Sequence, residues 1–282
     1  MKIYHLQCGV IKGLTYQNEH LICHCLLIET DNNGLVLVDT GLGYQDLINP
    51  QPRFGFGFSH VYAKPERDTY LSAVEQVKKL GFDPEDVKNI VLTHMDLDHV
   101  GGLVDFPNAK IHVHDVEYQT AINERNGLKT KMRYPKPFFA HNPKFITYTE
   151  QGDSWKGFDA IQQLEGLPPE ILLIPTAGHS RGHTAVAVQT ETGWMVHAGD
   201  TYFDPAEVTQ PNGIAKPGLA LFEWVNQWDK QKRINNQHRL YDLLQNNPDV
   251  EMFCAHNPME LHKWQNQSTL PKQRIISHPS QF

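Results

Sequence analysis

Four potential metal ligands fall within six positions of the segment Thr93-His94-Met95-Asp96-Leu97-Asp98-His99-Val100-Gly101-Gly102. His94 and Asp96, two apart in an extended turn, can point the same way. Asp98 and His99, adjacent, can reach a second ion beside the first. Met95, Leu97 and Val100 alternate with these groups and mark the segment as partly buried. Buried charge needs a partner, and a metal ion supplies one. Gly101-Gly102 lets the chain turn and start a helix without crowding such a centre. Just upstream, Asn89-Ile90-Val91-Leu92 reads as a buried strand, so the ligands sit at a strand's C-terminal end, where open α/β sheets place their sites. A solvated acidic loop is the plainer reading, and the interleaved apolar residues speak against it.

Three further segments repeat that placement. Ile171–Pro175 leads into Ala177-Gly178-His179-Ser180-Arg181-Gly182-His183, Trp194–Ala198 leads into Gly199-Asp200-Thr201-Tyr202, and Val250–Cys254 leads into Ala255-His256-Asn257-Pro258. A lone histidine after a strand is ordinarily structural. Four such placements in one chain, with 16 histidines among 282 residues, point to one shared centre.

The elements that must position these groups alternate between strand and helix. Leu21–Glu29 and Gly34–Asp39 read as strands parted by the turn Asp31-Asn32-Asn33-Gly34. Leu71, Val74, Val77 and Leu80 give a helix over 69–80 with Asp68 to cap it and Gly81 to stop it. Lys110–His114 reads as a strand, Asp115–Asn126 and Asp229–Gln245 as helices. The pattern is α/β, without repeats or a linker, and predicts a single domain over 1–282. Two segments depart from it and read as loop insertions: 43–67, with Phe54, Phe56 and Phe58 spaced by glycine, and 127–157, with Lys129, Lys131, Arg133, Lys136, Phe138 and Phe139. Loops of this length serve as lids or oligomer contacts, or their aromatics pin them to the core.

Composition bounds the partners. Acidic residues outnumber basic ones, 32 to 25, for a net charge of -7, which argues against nucleic acid. No stretch approaches the ~20 apolar residues that span a bilayer, and the N-terminus lacks the apolar core of a signal peptide. A cytoplasmic protein acting on a small molecule, with no membrane partner, is the expectation. Cys8, Cys23, Cys25 and Cys254 are too few for a disulfide framework, and Cys23 and Cys25 read as buried free thiols. His24, His112, His114, His183 and His197 read as structural.

Together these motifs resemble the metallo-β-lactamase superfamily, from Leu21-Ile22-Cys23-His24-Cys25-Leu26 through Val36-Leu37-Val38-Asp39-Thr40-Gly41 to His256. The similarity is closest to the lactonase-like branch that includes N-acyl homoserine lactonases. The resemblance implies a four-layer αββα sandwich with metals at the sheet edge. Carried over position by position, His94, Asp96 and His179 hold one metal, Asp98, His99 and His256 hold the second, and Asp200 bridges both. Asp39 lies beneath the metals and orients a ligand, although a helix or turn cap is its other reading. A tyrosine just past the bridging aspartate contacts the substrate carbonyl in such lactonases, which assigns Tyr202 beside Asp98 and Asp200 as catalytic. The competing role for Tyr202 is a core tyrosine with a satisfied hydroxyl.

At position 96 the family's usual pattern has histidine. The aspartate here makes the first metal position harder and more negative. Two divalent ions are therefore expected, with zinc the first expectation and manganese or iron admitted by Asp96. Paired metals lower the pKa of a shared water to about 7 and generate a bridging hydroxide that attacks a carbonyl carbon or a phosphorus. The expected activity is a dinuclear metal-dependent hydrolase acting on a lactone or ester, with Phe54, Phe56, Phe58, Phe138 and Phe139 supplying an apolar pocket. Thioester, phosphodiester or β-lactam hydrolysis on the same site is the alternative, and an iron-dependent oxidoreductase a further one. A homodimer is expected through Phe54–Phe58 if that segment is not a lid.

Overall fold

Runs of leucine and β-branched residues bounded by polar turns form two stacked sheets in the computed structural model, which describes residues 1–13, 20–57, 59–60, 63–124, 127–149, 152, 154–161 and 163–267. The larger sheet contains β1 (Lys2–Ile11), β2 (Leu21–Glu29), β3 (Leu35–Val38), β4 (Val87–Val91), β5 (Lys110–His114) and β6 (Lys144–Tyr148), in that spatial order. Its first three strands are antiparallel and the rest pair in parallel. A short hairpin, β7 (Ser154–Trp155) and β8 (Phe158–Asp159), follows. The second sheet holds β9 (Ile171–Pro175), β10 (Thr184–Thr190), β11 (Gly193–His197) and β12 (Val250–Phe253), ordered β12-β11-β10-β9, with only β11 and β12 parallel.

Because side chains alternate across a strand, each sheet has two apolar faces to cover. Leu26, Ile28, Val36, Val38 and Val91 meet Leu173, Val186, Val188 and Phe253 between the sheets. On the outer face of the first sheet, Leu27, Leu37, Ile90 and Ile111 join Ala73 and Val77 of the helix Ala73–Lys79. On the outer face of the second, Ala185, Ala187 and Val196 meet Leu240 and Leu243 of the helix Lys230–Asn246. The layers run helix, sheet, sheet, helix, the four-layer α/β sandwich expected from the sequence. No helix among the described residues is long and apolar enough to cross a membrane.

Several expectations need correction. The helix over 69–80 is shorter: Thr69–Leu71 is a 3₁₀ turn whose start Asp68 caps, and Ser72 caps the α-helix proper, Ala73–Lys79. The segments 43–67 and 127–157 are not structureless insertions. They carry the helices Tyr44–Ile48, Gln51–Gly57 and Leu128–Arg133, and the strand β6. Their aromatics do not line an opening as a group. Phe54 and Phe138 are buried edge to face at 5.1 Å, with the Arg53 guanidinium over Phe138, and Phe139 packs against the same core. Phe56 is exposed and stacks on His60, while Phe58 lies outside the described residues. Two helices are not expected from the sequence: Pro217–Asn226 packs Leu219 on the outer core of the first sheet, and Pro258–Gln267 sets Trp264 against the core between the sheets.

Candidate metal centre

The segments after β3, β4, β9, β11 and β12 all leave the C-terminal ends of their strands, and the backbone ties them together there. Asp39 N–H donates to the Val91 carbonyl, Thr184 N–H to Thr93, and Ala255 N–H to Gly199. Gly101 permits close approach instead of a sharp turn: its φ is helical, and a Cβ there would lie 2.6 Å from the Gly41 carbonyl oxygen.

This scaffold brings the seven expected side chains into one cluster. Asp200 lies at its middle, with Oδ2 3.1 Å from His256 Nε2, 3.4 Å from His179 Nε2 and 3.8 Å from His94 Nε2, and Oδ1 3.3 Å from His99 Nε2. Asp96 Oδ2 lies 3.0 Å from His179 Nε2 and 3.3 Å from His94 Nε2, while Asp98 Oδ2 lies 3.7 Å from His256 Nε2. Three overlapping triads have donor atoms within 4.8 Å of one another: His94, Asp96 and His179; Asp98, His99 and His256; and His94, His99 and Asp200.

The imidazoles are turned by what holds their other nitrogen. His99 Nδ1 bonds Asp39 at 2.8 Å, His256 Nδ1 donates to the Ile22 carbonyl at 2.7 Å, and His94 Nδ1 meets Thr93 Oγ1 at 3.0 Å. Each contact leaves Nε2 directed inward, the arrangement by which metal-binding histidines are oriented. Asp39 also accepts from Thr93 N–H and Oγ1–H, and adopts a left-handed backbone (φ 56°) that aspartate tolerates. Asp39 thus meets the cluster through His99 and Thr93.

Electrostatics favour a cation in this space. Burial opposes charge on Asp200, yet His256, His99 and His179 hold its carboxyl well below the usual range. Burial likewise opposes protonation of His99, but Asp200 and Asp39 raise it well above its usual value, and Asp200 raises His256. Carboxylates that draw protons onto buried imidazoles also draw a metal ion. The donor set passes a direct test of fit. His94 Nε2, His99 Nε2 and Asp200 Oδ1 are buried with no hydrogen-bond partner among the described residues, and all three belong to one of the triads. Orphaned polar atoms sharing one buried space are expensive unless something binds them.

Other residues complete the centre without a signal in the local sequence pattern. Arg133 donates from Nε to Asp96 Oδ1 at 2.5 Å and from Nη2 to Asp96 Oδ2 at 2.6 Å. Its Nη1 donates to the carbonyls of His179 and Asn226. Burial opposes charge on Asp96, but Arg133 and His94 hold that carboxyl well below its usual range, and burial with Arg133 pushes His179 down to about 4. Glu117, fully buried, accepts from Met95 N–H, Tyr134 O–H, Ser180 O–H and Gly182 N–H, and so joins the loop of His94 to that of His179. His183, read as structural, accepts from Asp200 N–H through Nε2 at 2.9 Å and positions that carboxylate's backbone. Gly199 is required beside it, because a Cβ there would lie 2.6 Å from His183 Nε2 and its φ is +55°. Arg133 had one signal available: a buried Asp96 needs a cation, and arginine is the side chain whose fork matches a carboxylate.

Tyr202 takes the second of its two readings. It is buried in the outer core of the second sheet, and its hydroxyl donates to Glu260 Oε1 at 2.9 Å. The next residue, Phe203, turns toward the cluster instead, its ring stacked on His256 at 5.1 Å and 5.9 Å from that of His179.

Comparisons with known proteins place this geometry. A family model described as the metallo-beta-lactamase superfamily matches residues 19–221. A probable metallo-hydrolase of Mycobacterium tuberculosis is 37% identical over 263 residues, covering 92% of this chain and 81% of that protein. An N-acyl homoserine lactonase of Bacillus thuringiensis is 29% identical over 173 residues, covering 61% of this chain and 60% of that one. Among solved structures, an N-acyl homoserine lactone hydrolase with N-hexanoyl-L-homoserine bound at its catalytic metal centre superposes with a TM-score of 0.66 at 23% identity, covering 93% of this chain and 95% of that one. A probable metal-dependent hydrolase from Staphylococcus aureus gives 0.64 at 18% identity, over 90% and 88% of the two chains.

Proposed function

Since the chain belongs to the metallo-beta-lactamase superfamily, we propose that this metal-dependent hydrolase is dinuclear and opens a lactone or ester bond in a small molecule. The observation that carries the reading is the buried triad of His94 Nε2, His99 Nε2 and Asp200 Oδ1, none of which makes a hydrogen bond among the described residues although Oδ1 stands 3.3 Å from His99 Nε2. His94, Asp96 and His179 would hold one divalent ion and Asp98, His99 and His256 the other, with Asp200 within reach of both sets. Zinc suits this mixed nitrogen and oxygen donor set. Ions bound there supply a water of lowered pKa and a Lewis acid for the scissile carbonyl.

The chain's own residues supply the rest. Asp39 and the Ile22 carbonyl fix the ring orientations of His99 and His256, so these donors need no reorganisation when substrate arrives. Phe203, stacked on His256, closes one flank of the cluster with apolar surface and keeps bulk water from it. Asp98 faces His256 and keeps 17% of its side chain exposed. A carboxyl at that edge can carry a proton to a departing alcohol. The lactone preference is supported by the relatives named as N-acyl homoserine lactonases.

The test is a panel of N-acyl homoserine lactones, simple esters, thioesters, bis-nitrophenyl phosphate and a chromogenic β-lactam, assayed with zinc-loaded protein. Highest kcat/KM on a lactone is expected. Turnover confined to the phosphodiester or the β-lactam overturns the lactone assignment.

A further inference from the structure

Of the two carboxylates that flank Asp200 in the cluster, Asp96 alone has a guanidinium against it among the described residues. Asp98 faces His256 and solvent, whereas Asp96 is gripped on both oxygens by the Arg133 fork. Arg133 is itself held from behind. Its Nη1 donates to the carbonyl of His179, a member of the same triad as Asp96, and to that of Asn226 at the end of the helix Pro217–Asn226. With four hydrogen bonds made and a side chain only 10% exposed, Arg133 has little capacity left for a substrate anion. Its position is that of a fixed partner to a ligand.

We propose that Arg133 is a positioning residue that makes Asp96 the electrostatic equivalent of a neutral imidazole, and thereby sets the metal preference of the first position. This rests on the reading that Asp96 faces a metal ion. A carboxylate and a guanidinium in bidentate contact carry no net charge as a pair. The triad of His94, Asp96 and His179 then presents two imidazoles and one pair without net charge. The second position keeps the uncancelled charge of Asp98. The carboxylate at position 96 therefore does not harden the site in the way its own charge implies, and a zinc preference is retained against manganese or iron. The fork also fixes which oxygen points inward: Oδ2 faces His94 and His179, while Oδ1 is turned to Arg133 Nε. Lysine in place of Arg133 would offer a point charge without the planar fork and would lose that orientation.

A double-substitution cycle tests this. Asp96→His, Arg133→Met and the combined variant are purified, stripped of metal, and titrated with zinc and with manganese against a chromophoric chelator. Melting temperatures of the metal-free forms are recorded in parallel. Asp96→His alone strands a buried guanidinium beside a cation, so zinc affinity at one position is expected to fall about 10–100-fold and the metal-free melting temperature to drop. Adding Arg133→Met to Asp96→His is expected to restore both, and Arg133→Met alone to shift the zinc-to-manganese ratio toward manganese. A combined variant no better than Asp96→His in either measurement overturns the proposal. If Asp96→His does not fold, recovery of folded protein in the combined variant supports the pairing, and failure of the combined variant while Arg133→Met folds overturns it. Asp96→Ala separates the underlying reading: two ions held at wild-type affinity in that variant would remove Asp96 from the ligand set whatever Arg133 does.

Discussion

Two clusters of histidines among the described residues have opposite characters. In one, His94, His99, His179 and His256 surround Asp200, with Asp96 and Asp98 at the flanks. In the other, His5 bonds His24 at 2.8 Å, His197 bonds the His24 carbonyl, and the rings pack on Phe253 and Trp264. Burial pushes His5 down to about 3 and His24 well below its usual value, and no carboxylate among the described residues hydrogen-bonds this set. Histidine by itself is therefore no metal signal. Carboxylates decide: where they face the rings, the Nε2 atoms converge on a negative centre, and where no carboxylate faces them, the rings lie as neutral core residues.

The largest expected effect comes from removing the carboxylate at the middle of the first cluster. Asp200→Ala is expected to abolish turnover and to lower the metal content measured by elemental analysis; near-wild-type activity would remove Asp200 from the site. Next is the carboxylate behind it. Asp39→Asn weakens the orientation of His99 and is expected to cost about 10–100-fold in metal affinity with the fold intact by circular dichroism. The second cluster should respond in the other way. His24→Ala opens a cavity against Phe253 and is expected to lower stability by about 1–3 kcal/mol, read by urea unfolding, with metal content unchanged. Metal loss in that variant would break the contrast between the clusters.

The smallest expected effect is a pH dependence. His5 is held neutral in the fold at about 3, so below its ordinary value near 6.5 the unfolded chain binds a proton that the folded chain does not. Stability from this group is present above that value and is lost as pH falls. His5→Gln removes the penalty, and between pH 6.5 and 5.5 the metal-free variant should lose about 1 kcal/mol less stability than the wild type. Parallel profiles for the two proteins would contradict a neutral His5.

The first cluster was legible in the sequence because its histidines and aspartates follow strands at short local spacings. The strand pattern places them at one edge without knowledge of any long-range contact. What stayed hidden depends on contacts made by distant parts of the chain or on a single step of the backbone. Arg133 reaches Asp96 from a segment whose alternating lysines and aromatics give no hint of which side chain turns inward. Tyr202 turns to Glu260 and Phe203 to the cluster, a choice between two consecutive side chains that no local pattern reveals. In strand β1, Tyr4, Leu6 and Cys8 are buried and alternate with His5 and Gln7, and that polar interleaving hides the strand from a search for apolar runs. The aromatics of 43–67 and 127–157 were readable as apolar but not as inward- or outward-facing, and Phe54 meeting Phe138 is a pairing no local rule contains.

Crystals grown with zinc and measured at the zinc absorption edge test the account most directly. Two anomalous peaks are expected, one among His94, Asp96 and His179 and one among Asp98, His99 and His256, with Asp200 adjoining both. Seven side chains bonded only to one another, with no anomalous density among them, would contradict it.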